Sequence, residues 1–149
     1  MKFIHLSDMH LGKVVLEQNM IEDQQYILDQ IIEFTKNENI DSVLISGDIY
    51  DRGIPPIEAV NMLDNFLTCL INDNKKVFII SGNHDSKDRL NFASCMLHEK
   101  GLYIESKFQG KLACHKVFDE YGCINIYMLP YVKPIDVSMY FQLEDDSYR

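Results

Sequence analysis

The chain has 149 residues, 46% of them apolar and 25% charged. That balance suits one globular domain, or a piece of a larger one, and excludes disorder, collagen and coiled-coil rods. Lys and Arg number 14 against 23 Asp and Glu, a net charge of -9, so phosphate chemistry must work through a local site and not through bulk attraction of a nucleic acid. Residues 1–12 lack the features of a secretory signal, and no apolar run approaches the ~18 residues of a membrane span. Cys69, Cys95, Cys114 and Cys123 stand far apart with no C-x-x-C pair. They read as reduced thiols of a cytoplasmic protein, most of them small core residues.

In chain order, Phe3-Ile4-His5-Leu6-Ser7 runs into Asp8-Met9-His10, and Val43-Leu44-Ile45-Ser46 runs into Gly47-Asp48. A third run, Val77-Phe78-Ile79-Ile80-Ser81, leads into Gly82-Asn83-His84-Asp85. Short runs that are apolar on both faces read as buried parallel strands. Between them, residues 20–36 carry Tyr26, Ile27, Leu28, Ile31, Ile32 and Phe34 at helical spacing, which predicts one broad apolar face. Residues 57–71 follow Pro55-Pro56, a favourable helix start, and repeat the spacing with Val60, Leu63, Phe66, Leu67, Leu70 and Ile71. Strand, helix, strand, helix, strand makes two right-handed βαβ units. In such an α/β fold, ligands bind beyond the carboxyl ends of the strands. All three polar tails lie at that end, so Asp8, His10, Asp48, Asn83 and His84 are expected to share one crevice.

Further along, a short helix is expected over residues 87–98 and a fourth strand at Leu102-Tyr103-Ile104. Residues 111–118 and 123–129 read as a hairpin turning at Asp119-Glu120-Tyr121-Gly122. Pro130 and Pro134 read as breaks in regular structure. Residues 142–149 are acidic, carry no capping element, and read as a cut and not as a natural terminus.

Carboxylates, imidazoles and one amide oxygen form a ligand set suited to Mn, Fe or Zn rather than to calcium. Taken singly, a D-x-H is an exposed turn, G-D a tight turn, and G-N-H-D a turn with a helix cap at Asp85 or Ser86. At three successive strand ends they read jointly as a metal site. Asp48 can offer an oxygen to each of two ions, and Asn83 a neutral oxygen. His84 suits a general acid or transition-state stabiliser, with Asp85 orienting its ring. His5 is a core residue or a partner behind the ligands, and His98 and His115 read as surface residues. Lys13, Arg52, Lys87 and Arg89 sit in or just after the three loops, where Lys13 and Arg52 are the candidate phosphate contacts. The helix over residues 57–71 and the short helix bearing Leu90, Phe92, Ala93, Met96 and Leu97 are apolar beyond one stripe, which leaves two readings open, a partner surface such as a second copy or burial within the same chain.

Asp8-x-His10, Gly47-Asp48-Ile49-Tyr50-Asp51-Arg52 and Gly82-Asn83-His84-Asp85 resemble the first three motifs of the calcineurin-like metallophosphoesterases. Within that family, His5 to Lys13, the Asp51-Arg52 extension and Leu129-Pro130-Tyr131 are most similar to the nuclease subunits of bacterial DNA repair complexes. The resemblance implies a four-layer α/β/β/α sandwich and a di-manganese nuclease acting on DNA ends and hairpins. It also implies a homodimer that partners an ATPase subunit. By position, Asp8, His10 and Asp48 would hold one metal, and Asp48 with Asn83 the other. His84 matches the catalytic histidine and Asp85 its orienting partner. The family's later lone His and Gly-His-x-His are absent, since only His98 and His115 follow His84. The chain therefore reads as the N-terminal portion of such a subunit, without its DNA-capping and ATPase-binding regions, and weakly active or inactive. Two alternatives remain open: an esterase of small phosphate esters, or a catalytically incomplete dimerisation module.

Overall fold

The computed structural model describes residues 1–141; the expectation for residues 142–149 lies outside the described residues. Four short strands, β1 (Phe3–Leu6), β4 (Ser42–Ser46), β5 (Lys76–Ile80) and β6 (Leu102–Glu105), form a parallel sheet in the order β1-β4-β5-β6. A small antiparallel ribbon, β2 (Val14–Val15) with β3 (Gln18–Asn19), follows β1. Helices α1 (Ile21–Asn37) and α2 (Ile57–Asn72) make the first two crossovers. Register is set so that Phe3 opposes Ser42, and Ser42 opposes Lys76. The strand ends Leu6, Ser46 and Ile80 therefore finish at one edge.

Alternation along each strand assigns the two faces. Ile4, Leu6, Val43, Ile45, Val77, Ile79, Leu102 and Ile104 pack with Leu28, Met62, Leu63, Phe66 and Leu70 of the helices. Leu44, Phe78, Ile80 and Tyr103 face the other way, against Val117, Ile124, Ile126 and Met128 of a hairpin formed by β7 (Ala113–Asp119) and β8 (Gly122–Met128). The Asp119 carboxylate closes its turn by accepting from the Tyr121 and Gly122 amides. The layers among the described residues are thus helix, sheet, ribbon. No second helical layer covers the outside of the hairpin there, and Phe118 and Tyr127 on that face are 66% and 64% exposed.

Several expectations are corrected by packing. The apolar face of α1 is narrower than its sequence suggests: Leu28 and Thr35 are buried and Ile31 and Ile32 partly so, while Tyr26, Ile27 and Phe34 are exposed. The short helix splits into α3 (Lys87–Leu90) and α4 (Ser94–His98), because Ala93 takes a left-handed φ of 59° that breaks the hydrogen-bonded run. Pro134 starts helix α5 (Pro134–Phe141) instead of ending structure, a position where its missing N–H costs nothing. All four cysteines are exposed, not core: they lie on the outer sides of α2, α4 and the hairpin.

Candidate metal centre

Beyond the sheet edge the first two loops keep pairing as if the strands continued. The Asp8 amide donates to the Gly47 carbonyl (3.2 Å), His10 to Asp48 (2.9 Å) and Leu11 to Ile49 (2.8 Å), and the Asp51 amide returns to Leu11 (3.1 Å). Gln24 of α1 secures the first loop, donating to the Met9 and His10 carbonyls and accepting from the Gly12 amide. The turns are tight enough that Asp8, His10 and Asp48 all take positive φ, 54°, 43° and 49°. Such backbone is unfavourable for residues other than glycine and clusters at functional sites.

The loops bring one ligand atom from each of Asp8, His10 and Asp48 to within 4.8 Å of one another. His10 Nε2 lies 3.9 Å from Asp8 Oδ1, and its Nδ1 lies 3.7 Å from Asp51 Oδ1, both beyond hydrogen-bond reach. Nδ1 of His10 is buried with no hydrogen-bond partner. Burying a polar atom unpaired is costly. An imidazole left unpaired between carboxylates is the donor set of a borderline divalent cation, so the residues fit a metal ion.

The third loop closes over this group. The His84 ring meets the His10 ring edge-on, centroids 4.9 Å apart. Its Nδ1 is 2.9 Å from the Asp51 carbonyl. A carbonyl only accepts, so Nδ1 carries the proton and Nε2 remains for other work. That carbonyl, followed by the charges of Asp48, Asp51 and Asp85, raises the His84 pKa above its ordinary value against a smaller opposing desolvation. The orienting partner of His84 is therefore Asp51, not Asp85 as expected. The Asp85 carboxylate is committed elsewhere: it accepts from the amides of Ile49, Tyr50 and Gly82 at 2.8–3.2 Å. Asn83, exposed, lies between Gly82 and His84 in the same loop.

Close contact requires glycine at two points. A Cβ on Gly82 would stand 2.0 Å from Asp48 Oδ1, and one on Gly47 would stand 2.7 Å from the Gly82 Cα. Below the loop, the buried Ser81 hydroxyl donates to the Ser106 carbonyl. The Tyr131 amide donates to the Ser81 carbonyl (2.8 Å), which places the Leu129-Pro130-Tyr131 stretch beside the end of β5. Tyr50 is buried under the second loop, and desolvation, helped by the Asp85 and Asp64 charges, pushes its pKa up to about 12.

The other candidates separate. Lys13, Arg52 and Arg89 are exposed at the loops, whereas Lys87 is paired with Asp136 of α5. His5 is exposed, with Nε2 2.7 Å from the Ser46 hydroxyl. His115 is partly buried against Glu105 (2.9 Å) and packs with His98 around Tyr103, on the hairpin side of the sheet. Asp51 and Gln24 are the functional residues that sequence reasoning missed. Asp51 lies within the Gly47–Arg52 motif, but Gln24 carries no local signal because its partners are 12–15 residues away. Among the described residues, no helix is long and apolar enough to cross a membrane. Residues 1–145 match the calcineurin-like phosphoesterase family, and with this metal-fitting cluster on its first two loop motifs the chain belongs to that family, whose chemistry is metal-dependent phosphoester hydrolysis.

Proposed function

We propose that this chain is the N-terminal portion of an SbcD-type nuclease subunit, which hydrolyses phosphodiester bonds at DNA ends and hairpins with two divalent ions, most suitably Mn2+. The observation that supports this best is the meeting of Asp8, His10 and Asp48 within 4.8 Å, with the His84 ring against His10. Divalent ions held by these groups supply Lewis-acid stabilisation of charge on a phosphoryl oxygen. His84, its Nδ1 anchored on the Asp51 carbonyl, has Nε2 left to give a proton to the leaving oxygen. Exposed Lys13 and Arg52 suit flanking phosphates of a polynucleotide, which would give the local positive charge that the whole surface lacks. The same reading carries a cytoplasmic homodimer and an SbcC-type ATPase partner. For the dimer, Ile57 (65%), Phe92 (82%) and Met96 (77%) are exposed on α2 and around α3 and α4.

For the second ion the described residues offer only Asp48 and Asn83, since His98 and His115 sit around Tyr103. Slow turnover follows. The net charge of -9 favours a second reading, an esterase of small phosphate esters. The test is cleavage of a hairpin oligonucleotide and of bis(p-nitrophenyl) phosphate with Mn2+, using Asp48→Ala as control. Slow hairpin cleavage lost in the control supports the nuclease. Turnover of the small diester alone supports the esterase. Neither, in a chain that binds Mn2+ and sediments as a dimer, supports the dimerisation module.

A further inference from the structure

The geometry points to Asp85 as the positioning residue that fixes the separation of the second and third metal-site loops, and so the affinity of the site for its ion; this rests on the metal reading above. The tie runs in both directions. Asp85, from the third loop, accepts from the Ile49 and Tyr50 amides of the second (3.1–3.2 Å) and from its own Gly82 amide (2.8 Å). Asp48, from the second loop, accepts from the His84 amide of the third (3.0 Å) through Oδ1. Each loop thus gives a carboxylate to the other's backbone. Charge-assisted bonds of this kind are stronger than neutral ones, and here they hold main chain rather than mobile side chains.

The two carboxylate oxygens have separate duties. Oδ1 takes Tyr50, Oδ2 takes Gly82, and Ile49 is shared between them. Asparagine, nearly the same shape, turns one of those oxygens into an NH2 that faces an N–H whichever way it is flipped. One orientation loses Gly82 and the other loses Tyr50. The loops are already as close as they can be, because there is no room for a Cβ between Gly82 and Asp48. Weakening the strap therefore lets them part. Asp48 and the Asn83–His84 segment separate, and the ligand atoms leave the spacing an ion needs. Residues that support metal ligands in this way typically change metal affinity 10–100-fold when mutated.

The experiment titrates the full chain with Mn2+, reading free ion by electron paramagnetic resonance well below the melting temperature. The variants are Asp85→Asn, Asp48→Ala and Val117→Ala. Val117 is fully buried on the sheet-facing side of the hairpin, among Phe78 and Met128, and controls for lost stability alone. The expected result is a dissociation constant raised about tenfold or more in Asp85→Asn and unchanged in Val117→Ala. Asp85→Asn that melts lower yet binds Mn2+ like the unaltered chain would overturn the inference. Equal binding by the unaltered chain and Asp48→Ala would overturn the metal reading, and this inference with it. If Asp85→Asn does not fold, amide exchange in the unaltered chain decides. The Ile49, Tyr50 and Gly82 amides should be protected and open together, and a Gly82 amide exchanging as if unbonded would overturn the strap.

Discussion

Replacing Gly82 with alanine puts a methyl group where Asp48 already stands. The added carbon would lie 2.0 Å from Asp48 Oδ1, 2.2 Å from the Asp48 nitrogen and 2.7 Å from Asp48 Cγ. Non-bonded heavy atoms settle near ~3.5 Å, so the two loops must part by about 1–1.5 Å. Turning the Asp48 side chain does not help, since its backbone nitrogen is also too close. Gly82 does not have a left-handed φ, so the penalty is steric and not torsional. Parting the loops strains the Ile49 and Tyr50 amide bonds to Asp85 and the His84 amide bond to Asp48. Overpacking of this order costs about 1–3 kcal/mol. For a chain of this size each kcal/mol lowers Tm by roughly 2–4 °C, which gives a fall of about 2–12 °C. Manganese affinity should fall about 10–100-fold with it. Calorimetry without metal and a Mn2+ titration measure the two effects. Gly53→Ala is the control, since its added carbon meets nothing nearer than 3.8 Å. A Gly82→Ala chain that melts and binds Mn2+ as the Gly53→Ala chain does would refute the reasoning.

Asp48→Ala should lower the amount of bound manganese more than Asn83→Ala, because it removes an anion from the cluster rather than a neutral oxygen; isothermal titrations that rank the variants equally would count against Asp48 as the shared ligand. His84→Ala should leave manganese binding nearly intact while removing hydrolysis, and loss of the metal would make His84 a ligand. Phe92→Asp, at a position 82% exposed, should leave the fold of the monomer intact by circular dichroism and shift sedimentation from dimer to monomer at tens of micromolar, a rough concentration scale; a monomer before substitution would remove the basis of the proposed interface. The Asp136 pKa is held below its ordinary 3.8 by the Lys133 amide and then the Lys87 ammonium. A depressed carboxylate stabilises fully above its unfolded pKa and loses that contribution as pH falls through the lower folded value. Asp136→Asn should therefore destabilise the chain at neutral pH, with the difference from the unaltered chain fading only below pH 3.8; a difference constant down to strong acid would contradict this.

The legible parts of the fold were those written in local pattern. Val43-Leu44-Ile45 and Val77-Phe78-Ile79 are apolar at every position because one set of side chains meets helices and the other meets the hairpin. Parallel strands then oblige the three polar tails to end together, which is why Asp8, His10 and Asp48 could be brought into one crevice from spacing alone. What failed depended on partners far along the chain. Tyr26, Ile27 and Phe34 share the helical period with Leu28, yet α1 meets the sheet along a stripe too narrow to cover them. The break at Ala93 has no glycine or proline to announce it. The motif suggests Asp85 as the carboxylate that orients His84, whereas the bonding pattern gives Asp85 three backbone amides and gives His84 the Asp51 carbonyl, 33 residues away. Which group meets the ring, a neighbouring carboxylate or a distant backbone carbonyl, is set by loop geometry, and loop geometry is not visible in composition or period.

The left-handed backbone at Asp8, His10 and Asp48 sets this protein's durability against its chemistry. Glycine is the residue that those three φ angles of 54°, 43° and 49° favour. A side chain there costs about 1–2 kcal/mol, least for Asp, whose short polar group bonds locally. Glycine would return part of that as unfolded-state entropy, about 0.5–1 kcal/mol, and keep the rest as stability. A population of variants screened only for resistance to heat would therefore drift toward glycine at all three places. The hardiest survivors would be inert, and selection for catalysis would have to act on these positions first.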